Sequence, residues 1–363
     1  MKSEAPFGRP NLDCAHYRGE FPCVKRKVCW DCDEFSPLRR RALIVKFGAP
    51  GDALRTTPVL SRLRAEGYDD ITWICDKASR EVLSLARNID RLVVFGPEAM
   101  ALAMTEDFDT VFSLDKAPEA LAIAMLARSD DKRGFARMKS GRLTVFDENS
   151  NYALRLGIDD DLKFRENRKT VPEIIFEMAG FDYAGEEYEL EIPSLSSAPV
   201  NAPRGRVIAL NIGVGPRWPS KAWPDDCWIE LAGLLRRTEF RPVFVGGESE
   251  RDLLENYAGR AGAQSLPPAS LGIFAETLAT SAGVVTCDSL AMHVALAVKT
   301  PTIGLFCSTT PAEIEWFGRG EAIRSGKGPC YQGACSRWPG CMRDIRPEAV
   351  MERLMQRVGT PAR

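Results

Sequence analysis

Histidine is nearly missing from this chain: two occur in 363 residues, His16 and His293. That scarcity removes most competitors for any imidazole role. Long apolar runs are missing as well. No uninterrupted stretch approaches the roughly 18 residues a spanning helix needs, so no transmembrane segment is expected. The opening Met1-Lys2-Ser3-Glu4-Ala5-Pro6 has no apolar core, so no secretory signal is visible and a cytoplasmic protein is expected. Peripheral contact with the inner membrane is compatible with that. Net charge is only −2 at pH 7, which leaves no electrostatic case for a nucleic-acid partner. Short repeats and low-complexity tracts are lacking. So are a Gly-x-Gly-x-x-Gly fingerprint and a P-loop, and with them the usual signs of a dinucleotide enzyme or an ATPase.

What is present is a globular chain, 45% apolar and 27% charged, long enough for two domains of roughly 150 residues each. From Arg41 onward, short apolar runs alternate with helical spacing. Strand signals fall at Ala42–Phe47, Ile71–Cys75, Leu92–Phe95 and Thr110–Leu114, with helical signals over 53–63, 78–87 and 117–128. The pattern lapses over 183–205, an acidic stretch followed by serine and proline. It then resumes with strands at Val207–Asn211, Pro242–Val245, Gly283–Cys287 and Pro301–Phe306. Helices are expected at Asp225–Arg237, Glu250–Ala261, Ser289–Val298 and Pro347–Arg357. Strand–helix alternation predicts parallel strands joined by crossover helices, hence an α/β chain of two Rossmann-like, doubly wound domains. The expected divisions are a Cys-rich extension over 1–38, a first domain over 39–190, a linker over 191–205, a second domain over 206–345, and a terminal helix and tail over 346–363.

Such sheets place ligands outside the carboxyl ends of their strands. Gly48-Ala49-Pro50-Gly51-Asp52 stands at one such end, where glycine lets backbone approach a bound group. Asp52 falls at or near a helix N-cap, where it serves either as a helix cap or as a carboxylate for chemistry. In the second half, Asn211-Ile212-Gly213-Val214-Gly215 follows a strand, and two Trp-Pro pairs then bracket Lys221. That stiff loop suits an ammonium on a diphosphate or ribose oxygen, and equally a solvated lysine beside packed tryptophans. Glu248 and Glu250 open the next helix, either to accept from sugar hydroxyls or to complement its positive end. Val284-Val285-Thr286-Cys287-Asp288-Ser289-Leu290-Ala291-Met292-His293 is the sharpest segment. Its strand–turn–helix shape turns Ser289 and free amides toward an anion, and His293 shares a helix face with Ser289.

Together these segments resemble glycosyltransferase family 9, the heptosyltransferases of lipopolysaccharide core assembly. The likeness lies in Lys46–Leu60, Lys221-Ala222-Trp223-Pro224, Val245-Gly246-Gly247, Asp288–His293, Pro301–Pro311 and the cysteine-rich Cys330–Glu348. It runs in the family's order over residues 41–357. The resemblance implies a GT-B arrangement of two Rossmann-like domains facing across a cleft, the first taking the acceptor and the second the donor. It also implies inverting transfer without a catalytic metal: Asp52 as base, Lys221 and the Ser289–Leu290 helix start on the diphosphate, Glu250 and Asp288 on sugar or ribose hydroxyls, and His293 orienting the site. Gly48, Gly51 and Gly213 shape the loops. ADP-heptose is the donor it suggests, with a saccharide, glycolipid or protein side chain as acceptor. Two departures from the family pattern are Leu290, where glycine is usual, and Pro50. A non-catalytic nucleotide-sugar scaffold is the competing reading. Acceptor specificity is expected in strand-end loops around 96–106 and 115–142, where Arg128, Lys132, Arg133, Arg137, Lys139 and Arg142 form a basic cluster.

Eleven cysteines in a reducing compartment read as metal ligands or buried thiols. Cys14-x8-Cys23-x5-Cys29-x2-Cys32 forms an appendage that the family core lacks. Four thiolates there predict a closed structural site, zinc first and iron or an iron–sulfur cluster second, with His16 as a substitute ligand. Cys330, Cys335 and Cys341 are expected to pack, or else to form a second site with a borrowed ligand, and Cys75, Cys227, Cys287 and Cys307 to lie in or beside core elements.

Overall fold

The computed structural model describes residues 10–19, 21–29, 32–38, 40–192 and 206–359. Most of the expected linker, over 193–205, lies outside them. Two compact units emerge. One comprises residues up to 47 with 60–77 and 88–148; the other comprises 48–59, 78–87 and the chain from 149 onward.

The chain runs β1 (Arg41–Val45), α1 (Pro50–Thr56), α2 (Pro58–Ala65), β2 (Asp70–Cys75), α3 (Arg80–Leu83), β3 (Arg91–Val94), α4 (Pro97–Thr105), β4 (Thr110–Ser113), α5 (Pro118–Leu126), β5 (Asp131–Arg137) and β6 (Leu143–Val145). Helices α6 (Asn151–Arg155) and α7 (Val171–Ala179) follow. The second series is β7 (Val207–Asn211), α8 (Asp225–Leu235), β8 (Arg241–Val245), α9 (Arg251–Ala261), β9 (Gln264–Ser265), α10 (Leu271–Ala279), β10 (Gly283–Cys287), α11 (Leu290–Ala297), β11 (Thr302–Phe306), β12 (Gly320–Arg324) and α12 (Pro347–Val358).

In the first unit the sheet order is β3-β2-β1-β4-β5-β6, parallel except for the antiparallel β5–β6 edge. In the second it is β12-β11-β10-β7-β8-β9, parallel throughout. Both are the doubly wound order. Central strands β4, β7, β10 and β11 are buried at every position, which is why they read as unbroken apolar runs. Each unit has its own core: Leu43, Ile74, Val93 and Val111 with α4 and α5 in the first, and Leu210, Phe244, Val285 and Leu305 with Trp223, Trp228 and α12 in the second.

Several elements differ from the expectation. The helical signal over 53–63 is two helices, because Pro58 has no N–H to continue the first. The first of them begins at Pro50, whose fixed φ suits the opening position, so Ala49 is the N-cap and Asp52 stands inside the first turn. Residues 96–106 form α4 rather than a loop, again opened by a proline. Within 115–142 the chain makes α5 and β5. Edge strands β9 and β12 carry no apolar run, being short or half exposed. No helix among the described residues is long and apolar enough to cross a membrane.

Candidate active site

In the second sheet the direction of winding reverses between β7 and β10, and that switch point is where doubly wound sheets bind ligands. Register aligns Asn211 with Thr286 there. The Asn211 amide donates to Thr286 Oγ1 at 3.0 Å, to Ser289 Oγ at 3.3 Å and to the Gly213 carbonyl at 3.1 Å. One side chain thus fixes the loop after β7 to the turn that opens α11. Ser289 is the extended N-cap of α11 and makes no side-chain cap, so the first amides of that helix keep their donor capacity. Leu290 begins the helix without a positive φ, so the backbone here does not demand the family's glycine.

Lys221 reaches this turn from the 3-10 segment Pro219–Lys221. Its ammonium donates to Asp288 Oδ2 at 2.6 Å and lies 5.0 Å from the centre of the Trp218 ring. Thr309, in the loop after β11, donates to the same oxygen at 2.7 Å. Burial pushes the Asp288 carboxyl upward, but Lys221, His293 and Thr309 outweigh it and hold the group below the usual carboxylate range. The pair is the preformed charge of the site.

Helix α1 belongs to the same compact unit. Gly48 precedes it with φ of 53°, a left-handed conformation that favours glycine. Gly51 packs directly on the start of α11: a Cβ there would lie 3.0 Å from His293 Cδ2 and 3.7 Å from Leu290 Cα. Asp52, half-buried, pairs with Arg55 one turn on. Burial disfavours charge on Arg55, yet Asp52 and Glu313 more than offset it and the guanidinium is held cationic. His293 is buried and its Nδ1 has no partner. Burial, reinforced by Arg55, lowers its pKa to about 3, so it is a neutral imidazole. The Tyr188 ring lies edge-on to it at 6.1 Å, and the Tyr188 hydroxyl is also buried without a partner.

Glu250 and Glu248 separate clearly. The Glu250 carboxylate accepts from the Gly247 N–H at 2.9 Å and stands beside Gly213 and Gly246, where added Cβ atoms would meet it. Glu248 is exposed and pairs with Arg251 at 2.7 Å. Beyond Gly246, an apolar cavity of about 190 Å³ is lined by Val245, Leu266, Pro267, Ile273 and Phe274, among others. The sequence reading missed this cavity, as well as Arg55, Tyr188 and Thr309. Arg55 was findable from its spacing to Asp52 on a helix face. Apart from Thr277, whose hydroxyl donates to the Ile273 carbonyl, the cavity residues carry no titratable or nucleophilic group and gave no signal.

The first sheet has its own switch point between β1 and β4, marked by a Lys46–Asp115 pair at 3.1 Å. Members of the expected basic cluster are engaged locally: Arg128 with Asp107, Arg133 with Asp131, and Lys132 on the carbonyls of Ala124 and Met125. Cys75, Cys227, Cys287 and Cys307 are buried. Cys330, Cys335 and Cys341 line a cavity of about 330 Å³ with Cys307. Among the described residues, no group of three or more His, Cys, Asp or Glu side chains stands at ion-binding spacing.

The family described as Glycosyltransferase family 9 (heptosyltransferase) matches residues 105–335, more than half of the chain. The chain belongs to that family. Lipopolysaccharide heptosyltransferase 1 of Pseudomonas aeruginosa is 31% identical over 146 residues, 40% of this chain and 40% of that protein. The alignment therefore spans less than half of the curated relative. Among solved structures, the family 9 glycosyl transferase of Veillonella parvula DSM 2008 aligns over 88% of this chain and 97% of its own, with TM-score 0.65 and 17% identity. E. coli heptosyltransferase WaaC, solved with ADP-2-deoxy-2-fluoro heptose, aligns over 87% and 99%, with TM-score 0.61 and 19% identity. These likenesses establish the GT-B-type fold of two Rossmann-like sheets.

Proposed function

We propose that this chain transfers a sugar from a nucleotide diphosphate to an acceptor hydroxyl, with inversion at the anomeric carbon. The observation that carries the reading is the seating of Gly51 against Leu290 and His293, with Asp52, Asp288 and Lys221 all close enough to act on the charge of His293. Asp52 takes the proton of the acceptor hydroxyl as its oxygen bonds to the anomeric carbon. The bond from that carbon to the diphosphate breaks, and its electron pair leaves with the phosphate oxygen. The α11 amides and Lys221 receive that growing charge, since preorganised donors are most effective where charge develops. An ammonium has three donors, so Lys221 can hold Asp288 and still reach a phosphate oxygen. These groups neutralise the departing diphosphate without calling on a metal ion. His293, neutral and wedged against Gly51, keeps α1 and α11 in register.

Glu250 takes the ribose hydroxyls in this reading, and the apolar cavity next to it takes the base, which its carboxylate beside Gly213 and the cavity's apolar lining support. ADP-heptose is the proposed donor, supported by the heptosyltransferase family and by the ligand of the WaaC structure. A saccharide or glycolipid is the proposed acceptor, supported by the curated relative's name; a lipid-linked one calls for peripheral membrane contact on the cytoplasmic side.

The test is a thermal-shift panel of nucleotide sugars followed by turnover assays on Asp52→Asn. A donor at 100 times its dissociation constant adds about 2.7 kcal/mol of stability. The variant should keep that shift and lose about 10²- to 10⁴-fold in turnover. Undiminished turnover removes Asp52 as the base. Donor binding with no transfer to any acceptor points instead to a scaffold.

A further inference from the structure

The described residues between 10 and 38 are built inside out. Leu12, Phe21, Val24 and Val28 keep 68, 72, 59 and 52% of their surface exposed, while Cys14, Cys23, Cys29 and Cys32 are half-buried. With its apolar side chains in water, such a segment gains little from hydrophobic burial. Something else must hold its turns.

The cysteines occupy the middle. All four, with His16, line one void of about 10 Å³, about the space of a single water-sized sphere. The backbone is shaped around the sulfurs. The Glu34 N–H donates to Cys32 Sγ at 3.3 Å. Tight turns close behind two of the cysteines, with the Tyr17 N–H on the Cys14 carbonyl at 2.9 Å and the Arg26 N–H on the Cys23 carbonyl at 2.8 Å. Cys14 bridges to Pro37, and the Asn11 amide donates to the Cys29 carbonyl at 3.2 Å. Both ends of the segment are thereby tied to the cysteines. Lys25 and Lys27 flank them, Lys25 paired with Glu34 at 4.0 Å and Lys27 with Asp33 at 2.5 Å and Glu34 at 3.7 Å.

We infer that Cys14, Cys23, Cys29 and Cys32 close as thiolates on one divalent thiophilic metal ion, zinc or ferrous iron. The sulfurs do not stand at ion-binding spacing and must draw inward to metal–sulfur distances of about 2.3 Å. Binding and ordering are then one event, because the free energy of metal binding becomes folding free energy of the segment. Four protein ligands leave no open coordination position, so the ion is structural. This inference is independent of sugar transfer: it concerns a different compact unit from α1 and α11 and stands or falls without it.

The experiment uses the full chain, purified without chelator, with zinc, iron and acid-labile sulfide measured per chain. Close to one zinc or one iron, without sulfide, is expected. The metal should vanish in Cys29→Ser/Cys32→Ser and persist in Cys330→Ser/Cys335→Ser. Because the first variant could fail to fold, trypsin cleavage at Lys25, Arg26 and Lys27 is followed in the wild-type chain. Cleavage should be slow as purified, fast after chelation and slow again once metal is restored. Absence of metal, iron accompanied by sulfide, or metal retained in Cys29→Ser/Cys32→Ser overturns the inference. So does cleavage that ignores chelation.

Discussion

A methyl group added to Gly51 would sit 3.0 Å from Cδ2 of His293, so α1 meets α11 through a contact that only glycine makes without displacement. Gly51→Val should therefore push the two helices apart. Overpacking of this kind costs about 1–3 kcal/mol, and turnover should fall further than stability because Asp52 follows directly. Denaturant unfolding and a transfer assay on the same preparation check both; unchanged turnover would mean that the Gly51–His293 contact does not set the reacting geometry.

Lys221 and Asp288 should behave as a unit. Lys221→Met strands a buried carboxylate, a loss of about 3–5 kcal/mol for breaking a well-buried pair from one side. Lys221→Met/Asp288→Asn should recover much of that stability but none of the donor affinity, since the ammonium is gone in both. Recovery of affinity in the double variant would show that Lys221 serves packing alone.

His293 makes a prediction about pH. Its folded pKa, about 3, lies below its ordinary value of 6.5, so the unfolded chain binds more protons between those limits. Stability contributed by the neutral ring is complete above pH 6.5 and is lost as pH falls toward 3, by at most about 1.4 kcal/mol per pH unit. His293→Leu should have a shallower dependence between pH 7 and 5. Equal slopes for the two proteins would refute this.

The apolar cavity beside Gly246 offers a binding test free of catalysis. Ala269 lines it, and Ala269→Phe should fill part of its volume. Donor affinity should drop tenfold or more, about 1.4 kcal/mol, with little change in the melting temperature of the free protein. Calorimetric titration with a nucleotide diphosphate sugar measures it, and unaltered affinity would locate the base elsewhere.

Much of the fold was legible because parallel strands covered on both faces leave continuous apolar runs, as Val207–Asn211 and Gly283–Cys287 do. Helix α12 was legible from Pro347 and its apolar spacing. The edges were not. β9 has two residues and β12 is half exposed, so neither left a periodic signal. The division of 53–63 into two helices turned on a single missing N–H at Pro58.

For the candidate site, the sequence by itself determined where Asp52, Lys221 and Asp288 stand along the strand ends and helix starts, because those are local patterns. Only the tertiary structure decided what each group faces. It turned Glu250 toward Gly213 and left Glu248 in an exposed ion pair. It set Arg55 among Asp52, Glu313 and Tyr188, and it kept His293 neutral. Those outcomes depend on burial and on neighbours far apart in the chain, and spacing along a sequence carries no record of either.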